Sequence, residues 1–276
     1  MKKINQQQDH NSSLIIQRIK MKTVERKELE KFFDVILSPQ QYKDYGPNGL
    51  QIEGADHISK IAFAVSAQKK SIEKAVEIGA QCLVVHHGLF WSFHGTKPIT
   101  KSFAKRVRPL IKNDINLFGY HLPLDGHIEY GNAASLGKKL GLTNLCNFGD
   151  YKGMPTGVKG VFETPKTPEE LKELISKVVE HAVIHSNAED VSEIKSLGII
   201  TGGANSGWKD ASHEGLNAYL TGEMSEHDYH ESRESDVHMF AAGHNATEKF
   251  GIKALMGLVE QNFEVECVFI DSSNPA

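Results

Sequence analysis

Gln81-Cys82-Leu83-Val84-Val85-His86-His87-Gly88 is the stretch on which the fold turns. A short apolar run that ends in polar residues and a glycine predicts a strand over Gln81 to His86. Upstream, Lys60 to Ser66 also predicts a strand, and Ser71 to Gly79 between the two predicts a helix. Downstream, Ser102 to Lys112 places Phe103, Val107, Leu110 and Ile111 on one helical face, and Ile115 to Tyr120 is again a strand. Such β-α-β-α-β alternation predicts an α/β fold whose mainly parallel sheet is flanked by helices.

A Gly- and Pro-bearing passage around Gly149 to Gly160 separates this series from a second and is expected to mark a lobe boundary. Thr167-Pro168-Glu169-Glu170 is a capping box with proline at the first helical position, so a helix should run from there to about Glu180. Strands follow at Lys195 to Ile200, Leu216 to Leu220, Val237 to Ala242 and Val265 to Ile270, with helices near His227 and from Ala246 to Asn262. Near the start, Leu29, Phe32, Phe33 and Ile36 recur at helical spacing. The expected organisation is a disordered leader at 1–21, a first α/β lobe at 22–130 completed by 238–271, and a second α/β lobe at 131–237.

Bulk properties narrow the function classes. The 276 residues are 39% hydrophobic and 24% charged, as in ordinary globular proteins. The longest apolar stretches fall far short of the roughly 18 residues a membrane span needs. A formal charge of -4 supplies no large positive field, which argues against nucleic acid as the main ligand. The three cysteines, Cys82, Cys146 and Cys267, lie far apart with no C-x-x-C spacing, so neither a disulfide framework nor a thiolate zinc site is expected, and a reducing cytoplasm fits. The leader has no continuous apolar core of the kind an export signal carries.

In parallel sheets, ligands bind beyond the carboxyl ends of the strands. Three predicted strands end in His86-His87, in His121-Leu122-Pro123-Leu124-Asp125, and in Gly243-His244-Asn245-Ala246-Thr247-Glu248. His86 and His87 can reach one site from different sides where the strand ends, an arrangement that suits two metals better than one. His244 and Glu248 lie four apart at a helix start and so share a face, from which a glutamate can bridge two cations. The candidate ligands are therefore His86, His87, Asp125, His244 and Glu248, converging between the lobes. Imidazole and carboxylate donors without thiolate suit two ions of zinc, manganese, iron, cobalt or nickel. Two such ions about 3.5 to 4 Å apart activate water for hydrolysis.

Four ordered stretches, His86-His87-Gly88-Leu89-Phe90-Trp91, Tyr120-His121-Leu122-Pro123-Leu124-Asp125, Thr221-Gly222-Glu223-Met224-Ser225-Glu226-His227 and Gly243-His244-Asn245-Ala246-Thr247-Glu248, resemble the GTP cyclohydrolase 1 type 2 family, also called the NIF-three-like family. Asp44 to Leu50, with Asn48-Gly49-Leu50, is similar as well, and the likeness runs from about Lys22 to Ile270. The resemblance implies that His86 and Asp125 hold one metal, His87 and His244 the other, and Glu248 both. It also implies two α/β lobes, a ring-shaped homohexamer built from dimers, and ring opening of a nucleotide such as GTP. Two features depart from the pattern: Ala64-Val65-Ser66-Ala67-Gln68 stands where many relatives carry a Leu-Asp-Ala-Thr type segment, and no long middle insertion is present, as in the short bacterial form.

Around the ligands, Glu223 and His121 are the candidate catalytic acid and base, although Glu223 also suits the N-terminus of a helix for electrostatic reasons. His94 and His227 are candidates to approach substrate. Phe90 and Trp91 either stack on a purine or pack beneath their loop. Thr201 to Gly207 reads first as a tight turn and second as a phosphate cradle, since it lacks the P-loop lysine. The expected activity is metal-dependent hydrolysis of a small molecule. The alternatives are a two-metal phosphoesterase and a non-catalytic metal-binding or regulatory interaction protein.

Overall fold

The computed structural model describes residues 22–276, so the expected leader at 1–21 lies outside the described residues. Two sheets carry the architecture. The first has the strand order Glu266–Phe269, Lys60–Ser66, Cys82–His87, Asn116–Gly119 and Gly49–Ile52. Its first four strands are parallel, and Gly49–Ile52 closes the edge antiparallel to Asn116–Gly119. Alternating side chains serve its two faces, as the pleat requires. Ile61, Phe63, Cys82, Val84 and Phe118 meet Leu29 and Phe33 of helix Arg26–Leu37 and Ile252, Leu255 and Val259 of helix Lys249–Asn262. Ala62, Ala64, Leu83, Val85 and Leu117 meet Ile72 and Ala75 of helix Lys69–Glu77 and Phe103, Val107 and Leu110 of helix Lys101–Lys112. Ile111, expected on that buried face, is 59% exposed.

The second sheet runs Thr143–Tyr151, Met154–Lys166, Ile194–Ile199, Ala218–Thr221, His238–Ala241 and Ile184–Ser186. Its three central strands are parallel to one another and the remaining pairings are antiparallel, so this sheet is mixed rather than mainly parallel. One face packs Leu197, Ile199, Leu220 and Phe240 on helices Asn132–Lys139 and Pro168–Val179. The other packs Tyr219 and Met239 on Trp208 and Ala211 of helix Trp208–His213.

Two differences from the sequence expectation have physical causes. The passage Gly149 to Gly160, expected to mark a lobe boundary, lies in a long hairpin within the second sheet. Lys152 and Gly153 turn it with φ of 56° and 88°, the doubly positive geometry that suits a two-residue hairpin loop. A β-carbon on Gly157 would fall 2.1 Å from the Ile199 carbonyl oxygen, so this glycine permits close strand approach. In addition, of the segment 238–271 only Glu266–Phe269 pairs in the first sheet, whereas His238–Ala241 pairs in the second. The capping box at Thr167 is formed, with the Glu170 amide donating to Thr167 Oγ1 and the Thr167 amide to Glu170 Oε2. Among the described residues, no helix is long and apolar enough to cross a membrane.

Candidate metal centre

Strands of both sheets end at one place. His86 and His87 close Cys82–His87, and Asp125 lies in the short helix Leu122–Gly126 after Asn116–Gly119. His244 opens the helical turn His244–Thr247 after His238–Ala241, and Glu248 follows it. His86, Asp125 and Glu248 are buried, and His87 and His244 are partly exposed. Ligand atoms of His86, Asp125 and Glu248 all lie within 4.8 Å of one another, as do those of His87, His244 and Glu248, and those of His86, His87 and His121. Glu248 stands at the centre. Its Oε1 is 3.3 Å from His86 Nε2 and 3.2 Å from His244 Nε2, and its Oε2 is 3.4 Å from His87 Nε2.

Each of the four imidazoles is oriented through Nδ1. In His86 this nitrogen donates to the Tyr120 carbonyl oxygen at 2.9 Å, which makes Nε2 the lone-pair nitrogen of the neutral ring. His87 Nδ1 is 3.0 Å from Ser66 Oγ, His244 Nδ1 is 2.5 Å from Glu223 Oε1, and His121 Nδ1 is 2.7 Å from Asp44 Oδ1. Asp125 Oδ1 accepts from Asn132 Nδ2 at 2.9 Å and Thr201 Oγ1 at 3.1 Å, and Asn132 Oδ1 in turn accepts from the Gly251 amide. Outer partners of this kind fix ligand direction and raise imidazole basicity at metal sites.

Charge in the cluster is unbalanced without a cation. Burial opposes ionisation of His86, but the carboxylates of Asp125 and Glu248 outweigh it and raise its pKa to about 10. Burial likewise works against His244, yet Glu248 and Glu223 lift it to about 9. Burial and then the Glu248 charge push the Asp125 carboxyl up. All three shifts have one meaning: excess negative charge is held by protons where a cation would displace them. His87 goes the other way, pulled to about 3 by burial and by neighbouring imidazoles, so it presents a neutral nitrogen at neutral pH. His86 Nε2 and Glu248 Oε2 are buried without a hydrogen-bond partner, although buried polar atoms nearly always have one. Nitrogen and oxygen donors with two such atoms among them fit a divalent cation.

The remaining residues singled out in the sequence divide. Glu223 meets the cluster through His244, and His121 faces His86 and His87 with ring centroids at 5.1 and 5.7 Å. Trp91 lines the cleft over the cluster, edge-on to His121 at 5.0 Å. Phe90 instead packs against Phe103, 5.8 Å away. His227 reaches the cleft, whereas His94 lies exposed beside Lys97. The loop from Thr201 forms a wall of the centre: the Gly202 amide donates to Thr247 Oγ1, and a β-carbon on Gly202 would meet Glu248 Oε1. Ser66 and Asn132 had no assigned role in the sequence, Asp44 entered only within the segment that resembles the family, and Thr201 only as the start of a turn or phosphate cradle. Ser66 carried one weak signal, since it stands in the segment that departs from the Leu-Asp-Ala-Thr pattern.

The chain as a whole is similar to known proteins. The family model of Duf34/NIF3 (NGG1p interacting factor 3) matches residues 24–275. A Vibrio cholerae protein named GTP cyclohydrolase 1 type 2 homolog is 41% identical over 251 residues, covering 90% of this chain and 98% of that protein. One of the same name from Pyrococcus abyssi is 39% identical over 249 residues, with the same coverage. The solved structure of protein ybgI, described as of unknown function, superposes with a TM-score of 0.86 at 36% identity, over 92% of this chain and all of that one.

Proposed function

The chain belongs to the Duf34/NIF3 family, and from that membership and the cluster's geometry we propose that it is a hydrolase with a dinuclear divalent-metal centre. The observation that carries the proposal is the shared carboxylate. Glu248 presents Oε1 to His86 and His244 and Oε2 to His87, so one side chain joins two sets of ligands. His86 and Asp125 would hold one ion, His87 and His244 the other, and Glu248 both. Bound there, two divalent ions would supply Lewis acidity and a water acidified towards neutrality.

The chain's own residues then divide the remaining work. Glu223 fixes the His244 ring, and the backbone carbonyl of Tyr120 fixes His86. His121 lines the cleft with Nδ1 held by the buried Asp44 carboxylate, so its Nε2 is the nitrogen free to take or return a proton. Asp44 also accepts from Asn48 and from the Leu122 amide, and the His121 contact together with these bonds outweighs burial and lowers its carboxyl pKa. The relatives' name, GTP cyclohydrolase 1 type 2 homolog, points to a nucleotide-derived substrate. We place the protein in the cytoplasm as a homo-oligomer, a hexameric ring by the resemblance. Exposed Ile99 and Ile111, flanking and ending helix Lys101–Lys112, offer apolar surface for a neighbouring subunit.

Turnover decides the proposal. Protein of known metal content is incubated with a panel of nucleosides, nucleotides and phosphoesters, beside a His121→Ala variant. Hydrolysis that the variant loses while it keeps its metal supports the assignment. A metal-replete protein inert to the whole panel would support a metal-binding role without catalysis.

A further inference from the structure

The cleft that opens onto the cluster has a volume of about 890 Å³, within the range of small-molecule sites. Its lining includes the carboxylates of Asp125, Asp150, Asp210, Glu223, Asp228 and Glu248, and among the described residues no lysine or arginine lines it. Two divalent ions would leave this lining with an excess of negative charge. One phosphoryl group could sit on the ions, but the rest of a polyphosphate tail would lie among Asp150, Asp210 and Glu223, with the imidazoles of His121 and His227 but no lysine or arginine to receive it. Phosphate sites ordinarily recruit Arg, Lys or a helix N-terminus. Lys152, beside the cleft, sets its ammonium 4.7 Å over the Tyr151 ring. In the glycine-rich loop, the Gly202 amide donates to Thr247 Oγ1 and the Gly207 amide to the Ala204 carbonyl.

Two further observations point to what the cleft does accept. Asn205 and Asn245 both line it, and the Oδ1 of each is buried without a partner; Asn245 is only 5% exposed. Buried amide oxygens call for hydrogen-bond donors, which a phosphate lacks and a heterocyclic N–H supplies. Four aromatic rings also line the cleft: Trp91 stacks on Phe93 at 5.6 Å, and Tyr45 lies 4.8 Å from Tyr151. Phe93 is 68% exposed, a large apolar face left for a flat ligand.

We infer that the cleft takes an uncharged or cationic heteroaromatic compound bearing N–H donors, of nucleobase or nucleoside size, and discriminates against nucleotides with a polyphosphate tail. This narrows the substrate class of the hydrolase proposed above and rests on that reading. Of the compound in the relatives' name, the cleft suits the base and not the triphosphate.

Calorimetric titration tests the inference, using metal-loaded protein whose metal content is measured before and after. Guanosine and adenosine are compared with GTP and ATP. Each nucleoside should bind about tenfold or more tightly than its triphosphate, the scale that like-charge juxtaposition imposes. Asp150→Asn combined with Asp210→Asn should narrow that ratio several-fold. Triphosphates that bind as tightly as nucleosides, with metal retained, overturn the inference and leave the metal centre standing. So does failure of either nucleoside to bind at millimolar concentration. A protein that takes up no divalent metal instead overturns the hydrolase proposal, and the inference that rests on it.

Discussion

A β-carbon at Gly202 would lie 2.2 Å from Glu248 Oε1, so the backbone of one loop stands directly against the carboxylate at the centre of the cluster. Gly202 also has φ of +71°, in the left-handed region that costs other residues roughly 1–2 kcal/mol. Gly202→Ala should therefore displace Glu248 and deplete bound metal while the fold persists. Elemental analysis beside far-ultraviolet circular dichroism checks this, and full metal content in the variant would refute the packing argument.

Glu248 and His87 should not be equivalent. Removing Glu248 takes away a ligand common to both sets, whereas removing His87 empties one set and leaves His86 and Asp125 in place. Glu248→Ala should lose both metals, and His87→Ala or His244→Ala chiefly one. Metal-to-protein ratios decide the matter. Ratios unchanged in all three variants would exclude this cluster as the metal centre.

Glu223→Gln keeps the side chain's shape but removes the charge that holds the His244 ring. Changes to such outer partners typically cost about 10- to 100-fold in metal affinity. Competition with a chelator of known affinity should show a loss of that size. Loss of turnover with unaltered metal affinity would mean that Glu223 acts on substrate rather than through His244.

The metal-free protein should have a stability optimum near neutral pH. His86 and His244 have folded-state pKa values near 10 and 9, above the unfolded value of about 6.5. Their contribution is fully present below about pH 6.5 and is lost as pH rises through 9 to 10. His87, depressed to about 3, has the opposite effect, because below pH 6.5 the unfolded chain takes up a proton that the folded chain refuses. Urea unfolding of chelator-treated protein should show stability declining on both sides. Metal-loaded protein should lose the alkaline decline, since the ions replace the protons on His86 and His244.

Thr167→Ala serves as a contrast remote from the metals. Its hydroxyl accepts from the Glu170 amide at the start of helix Pro168–Val179. Loss of such a cap costs about 1 kcal/mol. The urea midpoint should fall accordingly with metal content unchanged, and a concurrent loss of metal would show coupling between this helix and the centre.

Short-range pattern in the sequence settled much of the fold. Strands Lys60–Ser66 and Cys82–His87 and the helix beginning at Pro168 were legible because pleat alternation, helical period and capping chemistry are properties of neighbouring residues. The gathering of His86, His87, Asp125, His244 and Glu248 was legible for a related reason, since each follows a predicted strand and strand ends face the ligand side of a parallel sheet.

What the sequence alone left open depends on partners far apart in the chain. His121 is held by Asp44, 77 residues away, and Glu223 holds His244 across 21 residues. No local period records such pairs. The hairpin through Gly149 to Gly160 looked like a lobe boundary because glycines that permit close strand approach resemble glycines that break structure, and the position of Ile199 distinguishes them. Likewise, a four-residue apolar strand such as His238–Ala241 fits either sheet by its own composition. Pairing with Ala218–Thr221 and Ile184–Ser186 assigns it to the second, and that assignment brings His244 and Glu248 to the centre from the side opposite His86 and His87. The sequence by itself thus determined which side chains could offer metal-binding chemistry, because that is fixed by residue type at strand ends. The tertiary structure alone decided how their rings are oriented and that Glu248 lies between them, because hydrogen-bond direction and close approach exist only once distant segments have packed.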